Sequence, residues 1–290
     1  MTKLSGFTFV RNAIQFAYPV EASIRSALPL VDEMIVLCGN STDRTRDLIE
    51  SINDPKIKII DSVWDDSKRE GGMVLAQETN KAFDRIDPSS KWALYLQADE
   101  VLHEKDYTHI QNALTEFEND EQVDGLLFSY LHFYGNYYFI GASRKWYRNE
   151  IRIIKNDPEI KSFRDAQGFR KGNRKLQVKA VNASVYHYGW VKHPREQQLK
   201  QKSFHKMWHD DQWVEKKTGQ QLEFDYSQID LLRRFEGTHP GSMKTWIEKM
   251  NWDFEYDPSQ ITMTMKDRLL YSIEKYSGWR PGEYKNYRLI

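Results

Sequence analysis

Apolar and polar positions along the first hundred residues switch between two periods, and the switching predicts a sheet covered by helices. Short runs rich in β-branched and aromatic residues at 6–10, 34–37, 56–60 and 92–96 read as strands. Between them, residues 20–28 and Met73–Phe83 place apolar side chains at helical spacing. In the second of these, Val74, Ala76, Thr79, Ala82 and Phe83 gather on one side. Ser41, Thr42 and Asp43 supply N-cap chemistry for a further helix through Ile52. Strands alternating with helices in this way build a largely parallel α/β sheet with helices on both faces.

Beyond residue 100 the pattern predicts a helix over 107–117 and an aromatic-rich strand over Gly125–Tyr134. Strands over 151–154 and 176–186 follow, flanking a basic, Gly-containing loop. Their antiparallel character makes the sheet mixed. From about Pro194 the texture changes to long polar stretches with apolar residues at helical spacing: Leu199, Phe204, Met207 and Trp208, then Trp246, Ile247 and Met250, then Leu269, Leu270 and Ile273. Pro240, Pro258 and Pro281 punctuate this part. The expected organisation is one α/β domain over 1–194 and a mainly helical extension over 195–290.

Composition supports a single sizeable core, with 290 residues of which 40% are hydrophobic. The 42 basic and 42 acidic residues cancel, which argues against a nucleic-acid binder. The charge is unevenly placed. Residues 141–206 hold 17 Lys/Arg against 5 Asp/Glu, whereas residues 1–140 hold 13 against 23. The basic segment is either a solvated face or a surface turned toward a diphosphate, an anionic acceptor or an acidic membrane. Cys38 is the single cysteine and sits in an apolar run, which fits a buried thiol in a reducing cytoplasm. Arg11 interrupts the only apolar stretch near the N-terminus, and no run reaches the length that spans a bilayer. Peripheral attachment to the inner face of a membrane stays open, as does a homodimer.

The most informative segment is Trp92-Ala93-Leu94-Tyr95-Leu96-Gln97-Ala98-Asp99-Glu100, an apolar strand that runs straight into carboxylates. In open α/β sheets ligands gather at the carboxyl ends of strands, and an acidic group there can hold a hard divalent cation that grips a phosphate. Residues 97 and 99 share one side of an extended chain, so Gln97 and Asp99 address the same ligand and Asp99 is the stronger cation donor. The competing reading is a surface pair capping a helix.

Gly39-Asn40-Ser41-Thr42-Asp43-Arg44-Thr45 after a strand resembles the D-G-S-T-D-G-T turn of family 2 glycosyltransferases. Gln97-Ala98-Asp99 falls where that family carries its D-x-D motif. The resemblance covers roughly residues 5–190. It implies a GT-A type, Rossmann-like fold, a nucleotide-diphosphate sugar donor, Mn²⁺ or Mg²⁺, and inversion at the anomeric carbon during polysaccharide biosynthesis. The acceptor it implies is a hydroxyl of a glycan or lipid-linked glycan. Donor contacts then fall on Arg11, Asn12, Gly39, Asn40, Asp43, Gln77, Asn80, Gln97 and Ala98, and metal contacts on Asp99 and on His187 at the end of a later strand. The catalytic base, which takes the acceptor proton, falls on Asp165 in the loop Ser162-Phe163-Arg164-Asp165-Ala166-Gln167-Gly168, with Glu100, His103 and Glu104 as weaker alternatives. Arg144, Lys145, Arg148 and Arg170 would face the phosphates or an anionic acceptor. Tyr130, His132, Tyr134, Trp146 and Tyr147 form an aromatic zone that stacks on sugar or, by default, packs the core. Two departures stand out: Leu37, Cys38 and Gly39 replace the family's acidic residue after the second strand, and Gln97 replaces the first Asp of D-x-D.

Two rivals remain at this point. A nucleotidyltransferase shares the strand-and-carboxylate logic but calls for a Gly-rich, Lys-bearing first loop, which Leu4-Ser5-Gly6-Phe7-Thr8-Phe9-Val10 lacks. A non-catalytic nucleotide- or carbohydrate-binding module is encouraged by the two departures.

Overall fold

The structure, a computed structural model, describes residues 2–67, 71–219, 221–227, 229, 231–257 and 263–290. Pro258 therefore lies outside the described residues. Strands β1 (Leu4–Val10), β2 (Glu33–Gly39) and β3 (Ile57–Ser62) lie side by side in parallel, and β4 (Trp92–Tyr95) joins the other edge of β1, also parallel. Helices α1 (Val20–Ala27), α2 (Thr45–Glu50) and α3 (Met73–Phe83) connect them.

The strands read as nearly continuous apolar runs because both faces of the sheet are covered. Leu4, Val10, Met34, Val36, Trp92 and Leu94 face one layer, shared with Ile24 of α1 and with Ile110 and Leu114 of α4 (Tyr107–Glu116). Phe7, Ile35, Leu37, Ala93 and Tyr95 face the other, against Ala82 and Phe83 of α3. The period-2 alternation of strand side chains sorts neighbouring residues into these two cores. Each fully buried large apolar side chain contributes roughly 1.5–3 kcal/mol, so neither face can be left bare.

The rest of the sheet is mixed, as the sequence pattern predicts. After Asp99 the short β5 (Glu100–Leu102) turns off toward the later strands. Then β6 (Gly125–Tyr134), β7 (Phe139–Gly141) and β8 (Asn149–Lys155) extend the sheet, with β8 antiparallel to both β4 and β6. The basic loop holds structure of its own: β9 (Ile160–Phe163), β10 (Gly168–Lys171) and β11 (Arg174–Lys175) make a separate three-stranded sheet. Ile160 and Phe169 anchor it, both fully buried in the α3-side core. The long β12 (Gln177–Trp190) then pairs with β6 in parallel and with β5 in antiparallel orientation.

The C-terminal part contains α5 (Pro194–His205), α6 (Asp211–Thr218), α7 (Lys244–Glu248) and α8 (Met265–Ser277). Two short strands also return to the sheet: β13 (Leu232–Arg234) pairs with β7, and β14 (Arg288–Leu289) pairs with β12. This tail engages three arginines of the basic segment. Arg144 bridges Glu274 at 3.2 Å and donates to the Pro281 carbonyl, and Arg148 grips Glu283 at 3.0 and 2.9 Å. Arg170 donates to the Asn286 carbonyl at 3.0 Å. These three arginines are clasps for the tail, which corrects their assignment to phosphate or anionic acceptor. None of the helices among the described residues is long and apolar enough to cross a membrane, and Cys38 is a buried free thiol.

Candidate functional site

A cavity of about 640 Å³ opens at the carboxyl ends of β1, β3 and β4, where the parallel topology leaves a crevice. Arg11 and Asn12 follow β1, Trp64 to Asp66 follow β3, and Gln97 to Asp99 follow β4. His187 and Trp190 enter from β12, and residues 203–207, at and just beyond the end of α5, form the remaining wall. Its volume suits a ligand the size of a nucleotide.

Asp99 is buried, 6% exposed, and its side chain meets the cavity. It is therefore not a surface cap. Its Oδ2 lies 3.7 Å from His187 Nε2 and accepts from Lys200 Nζ at 3.1 Å. Tyr188 N fixes the backbone by donating to the Asp99 carbonyl at 2.8 Å. Burial alone raises the Asp99 carboxyl, but Lys200 and His187 outweigh it and hold the group well below the usual carboxylate range. Lys200 also donates to the Gly189 carbonyl at 2.9 Å and lies 5.0 Å from the Tyr18 ring. A second buried ammonium, Lys192, approaches the same ring at 4.5 Å and donates to the Phe16 carbonyl at 2.7 Å. Burial and then Lys200 push the Lys192 ammonium well below its usual range. Lys200, on the cavity wall beside a single carboxylate, offers an anion a direct hydrogen-bond donor.

The neighbouring Glu100 goes the other way. It is fully buried and held by both nitrogen arms of Arg152 at 2.6 Å, with the Tyr130 hydroxyl on Oε1. The backbone turn at 97–99 sends Asp99 to the cavity and Glu100 into the core, so only one carboxylate of the pair is available to a ligand. Glu104 accepts from Gly241 N, and His103 faces Thr238. None of these three weaker alternatives to Asp165 as base lines the cavity.

Asp165 does line it, together with Gln167. It sits at the tip of the β9–β10 hairpin between Arg164 and Ala166, both in the left-handed region at φ 57° and 62°. Such conformations cost on the order of 1–3 kcal/mol each in non-glycine residues and persist where the surroundings impose them. Gly72, itself at φ 67° at the start of α3, makes the approach feasible, since a β-carbon there would stand 2.9 Å from Asp165 Cβ. Burial raises the Asp165 carboxyl above its ordinary range.

The other expected donor contacts divide. Arg11, Asn12, Gln97 and Ala98 line the cavity. Arg11 forms a two-armed pair with Asp66 at 2.6 and 3.0 Å and lies 5.4 Å from the Trp64 ring. Gly39, Asn40, Asp43, Gln77 and Asn80 do not line it. Gly39 leaves room for the Trp64 indole, and Asn40 Oδ1 accepts from Trp64 N at 3.2 Å. Asp43 ties two loops together, accepting from Gln15 N at 2.8 Å and Thr45 N at 3.0 Å. Asn80 is turned to the hairpin, accepting from Ser162 N at 2.8 Å. In the aromatic zone, Tyr130 and His132 pack beneath His187, at 5.5 and 5.2 Å between rings, and only Tyr147 of the five reaches the cavity.

Lys200, Tyr18 and the Trp64-Asp65-Asp66 wall escape a reading of the sequence. A tryptophan in an otherwise polar stretch was the available signal for the last. Lys200 lies on a helix whose buried positions are Gln197 and Gln198, so its inward face carries no apolar mark.

A divalent cation must be tested against this donor set. Among the described residues no group of three or more His, Cys, Asp or Glu converges. Asp99 and His187 alone fit an ion that takes its remaining ligands from phosphate and water. They do not form a self-sufficient cage.

No family model matches the chain, and no curated protein matches it. Among solved structures, S. aureus TarS aligns at 16% identity over 70% of this chain and 39% of its own, with a TM-score of 0.40. The 4-diphosphocytidyl-2C-methyl-D-erythritol synthase of Anaerococcus prevotii aligns at 12% identity over 66% and 90%, with a TM-score of 0.39. A glucosyl-3-phosphoglycerate synthase from Mycobacterium tuberculosis, in complex with Mn²⁺, UDP and phosphoglyceric acid, aligns at 16% over 44% and 43%, with a TM-score of 0.31. The chain thus spans less than half the length of the first and third. These are distant, partial likenesses, and they leave the chain's family open.

Proposed function

We propose that the protein is a glycosyltransferase that moves a sugar from a nucleotide-diphosphate donor to a hydroxyl acceptor with inversion at the anomeric carbon. One observation carries this reading: Asp99, His187 and Lys200 meet at a strand end on the same 640 Å³ cavity that Asp165 lines from the opposite element. The first group is suited to a diphosphate leaving group, the second to a proton.

The nucleoside lies toward Arg11, Trp64 and Asp66, where an aromatic face and hydrogen-bonding groups stand together. The diphosphate lies against Lys200, which lines the cavity. Asp99 and His187 would hold a Mn²⁺ or Mg²⁺ ion, which when bound supplies charge neutralisation to the diphosphate. Lys200 orients the phosphates by direct hydrogen bonding. Asp165, raised by burial, accepts the proton of the attacking hydroxyl. The sugar carbon then gains its bond to the acceptor oxygen as its bond to phosphate oxygen breaks.

The test is a thermal-shift series with UDP, GDP and ADP, each with and without Mn²⁺, on the wild type and on Asp99→Asn. Stabilisation of the wild type by one nucleotide with Mn²⁺, lost in the variant, is the expected result. Products from the matching nucleotide sugar then separate the enzyme classes. Free nucleoside diphosphate supports glycosyl transfer, and inorganic diphosphate released from a nucleoside triphosphate replaces it with nucleotidyl transfer. No stabilisation by any nucleotide sinks the reading.

A further inference from the structure

Asp99 offers one cavity-side oxygen to two cations. Oδ2 accepts from Lys200 Nζ at 3.1 Å, and the same oxygen faces His187 Nε2 at 3.7 Å, the gap in which a divalent ion would be held. An ammonium and a divalent ion on one oxygen repel each other strongly inside a protein, where screening is weak. Asp99 has little room to relieve the conflict by moving, because it is buried and its carbonyl is held by Tyr188 N at 2.8 Å. Lys200 can. Its ammonium sits on a flexible four-carbon stem, its side chain is 14% exposed, and it lines the cavity into which a phosphate would arrive. A short swing toward that phosphate can keep the Gly189 carbonyl as a partner while it frees Asp99.

Resting on the reading of the site as a nucleotide-diphosphate pocket, we propose that Lys200 is an internal counter-ion gating the metal. It occupies Asp99 in the empty protein and releases it to a divalent ion only when a nucleoside diphosphate takes up the ammonium. Metal and nucleotide then bind weakly alone and tightly together, and linkage requires each to strengthen the other by the same factor. The lysine spares the empty site an unpaired buried carboxylate and keeps it from holding stray divalent ions.

The test is Mn²⁺ titration followed by electron paramagnetic resonance, with calorimetry for the nucleotide, on wild type, Lys200→Met and Lys200→Gln. Each protein is measured with Mn²⁺ alone, with the nucleotide that stabilises the wild type alone, and with both. Circular dichroism confirms the fold of each variant. The expected result is at least tenfold tighter binding of Mn²⁺ alone to the variants than to the wild type, with the nucleotide-driven gain in Mn²⁺ affinity cut by a similar factor. Should nucleotide and Mn²⁺ bind the wild type together while neither variant binds Mn²⁺ alone more tightly, the gating role is overturned and the pocket assignment stands. Misfolding of both variants shifts the decision to the wild type, where Mn²⁺ affinity unchanged by nucleotide overturns the gate. Absence of nucleotide binding in any protein overturns both.

Discussion

Gly189 and Asp99 are fitted to each other: a β-carbon on Gly189 would stand 2.6 Å from Asp99 Oδ2 and closer still to His187 Nε2. The bare backbone at 189 is what allows carboxylate, imidazole and Lys200 to converge. Gly189→Ala is therefore expected to leave the sheet intact and to push Asp99 and His187 apart. Nucleotide-dependent Mn²⁺ affinity should fall by tenfold or more while the melting temperature shifts little. Unchanged affinity in isothermal titration would show that the closeness at 189 has no bearing on the ligand.

Asp165→Asn removes a proton acceptor but keeps the shape of the hairpin tip. Turnover is expected to drop by roughly 10²–10⁴-fold, the usual contribution of a positioned base, with donor affinity within a few-fold of wild type. Steady-state transfer rates set beside calorimetric donor binding decide it. Collapse of binding with surviving turnover would make Asp165 a binding residue.

The sequence made part of this arrangement legible. Met73–Phe83 and Gly125–Tyr134 coincide with α3 and β6 because both elements carry a strong apolar period bounded by polar residues. Asp99 and His187, 88 residues apart, reach one cavity because they follow or lie in strands of the main sheet, and Asp165 reaches it from the tip of the separate β9–β10 hairpin. What stayed hidden depends on contacts distant in sequence. The small sheet β9–β11 looks like a loop in the sequence, since its strands are short and only Ile160 and Phe169 among its residues are fully buried apolar ones. Lys200 reaches Asp99 across 101 positions, and nothing local distinguishes it from a solvated helix lysine.

The Glu100–Arg152 pair lies under the site with both side chains almost wholly buried. Glu100→Gln leaves the guanidinium with only the more distant Glu150, at 3.8 Å, as a charge partner, and breaking such a buried pair typically costs about 3–5 kcal/mol. Urea unfolding should show a loss of that order. The double change Glu100→Gln with Arg152→Met is expected to recover part of it, because no unpaired charge then remains. A single variant as stable as wild type would mean that Arg152 finds water or another acceptor.

Glu150 gives the fold a pH dependence. Burial, only partly offset by Arg152, raises its carboxyl to about 8, far above its value in an unfolded chain. The neutral form is favoured in the native state, so this group's contribution is fully present below about pH 4.5, declines as pH rises, and is gone above about 8. The slope is at most about 1.4 kcal/mol per pH unit. Glu150→Gln is expected to flatten the stability profile between pH 5 and 8. Melting curves for the two proteins that stay parallel across this range would rule the effect out.

The arginine clasps carry a consequence for how the chain comes to fold. Arg170 in β10, a few positions after Asp165, is anchored by the carbonyl of Asn286, 116 residues downstream. During translation the hairpin bearing Asp165 emerges long before its latch, while the parallel strands can already assemble. A nascent chain arrested before residue 286 would thus carry Asp165 on a hairpin that still lacks the carbonyl anchoring Arg170, so the last residues of the tail are what fasten that side of the cavity.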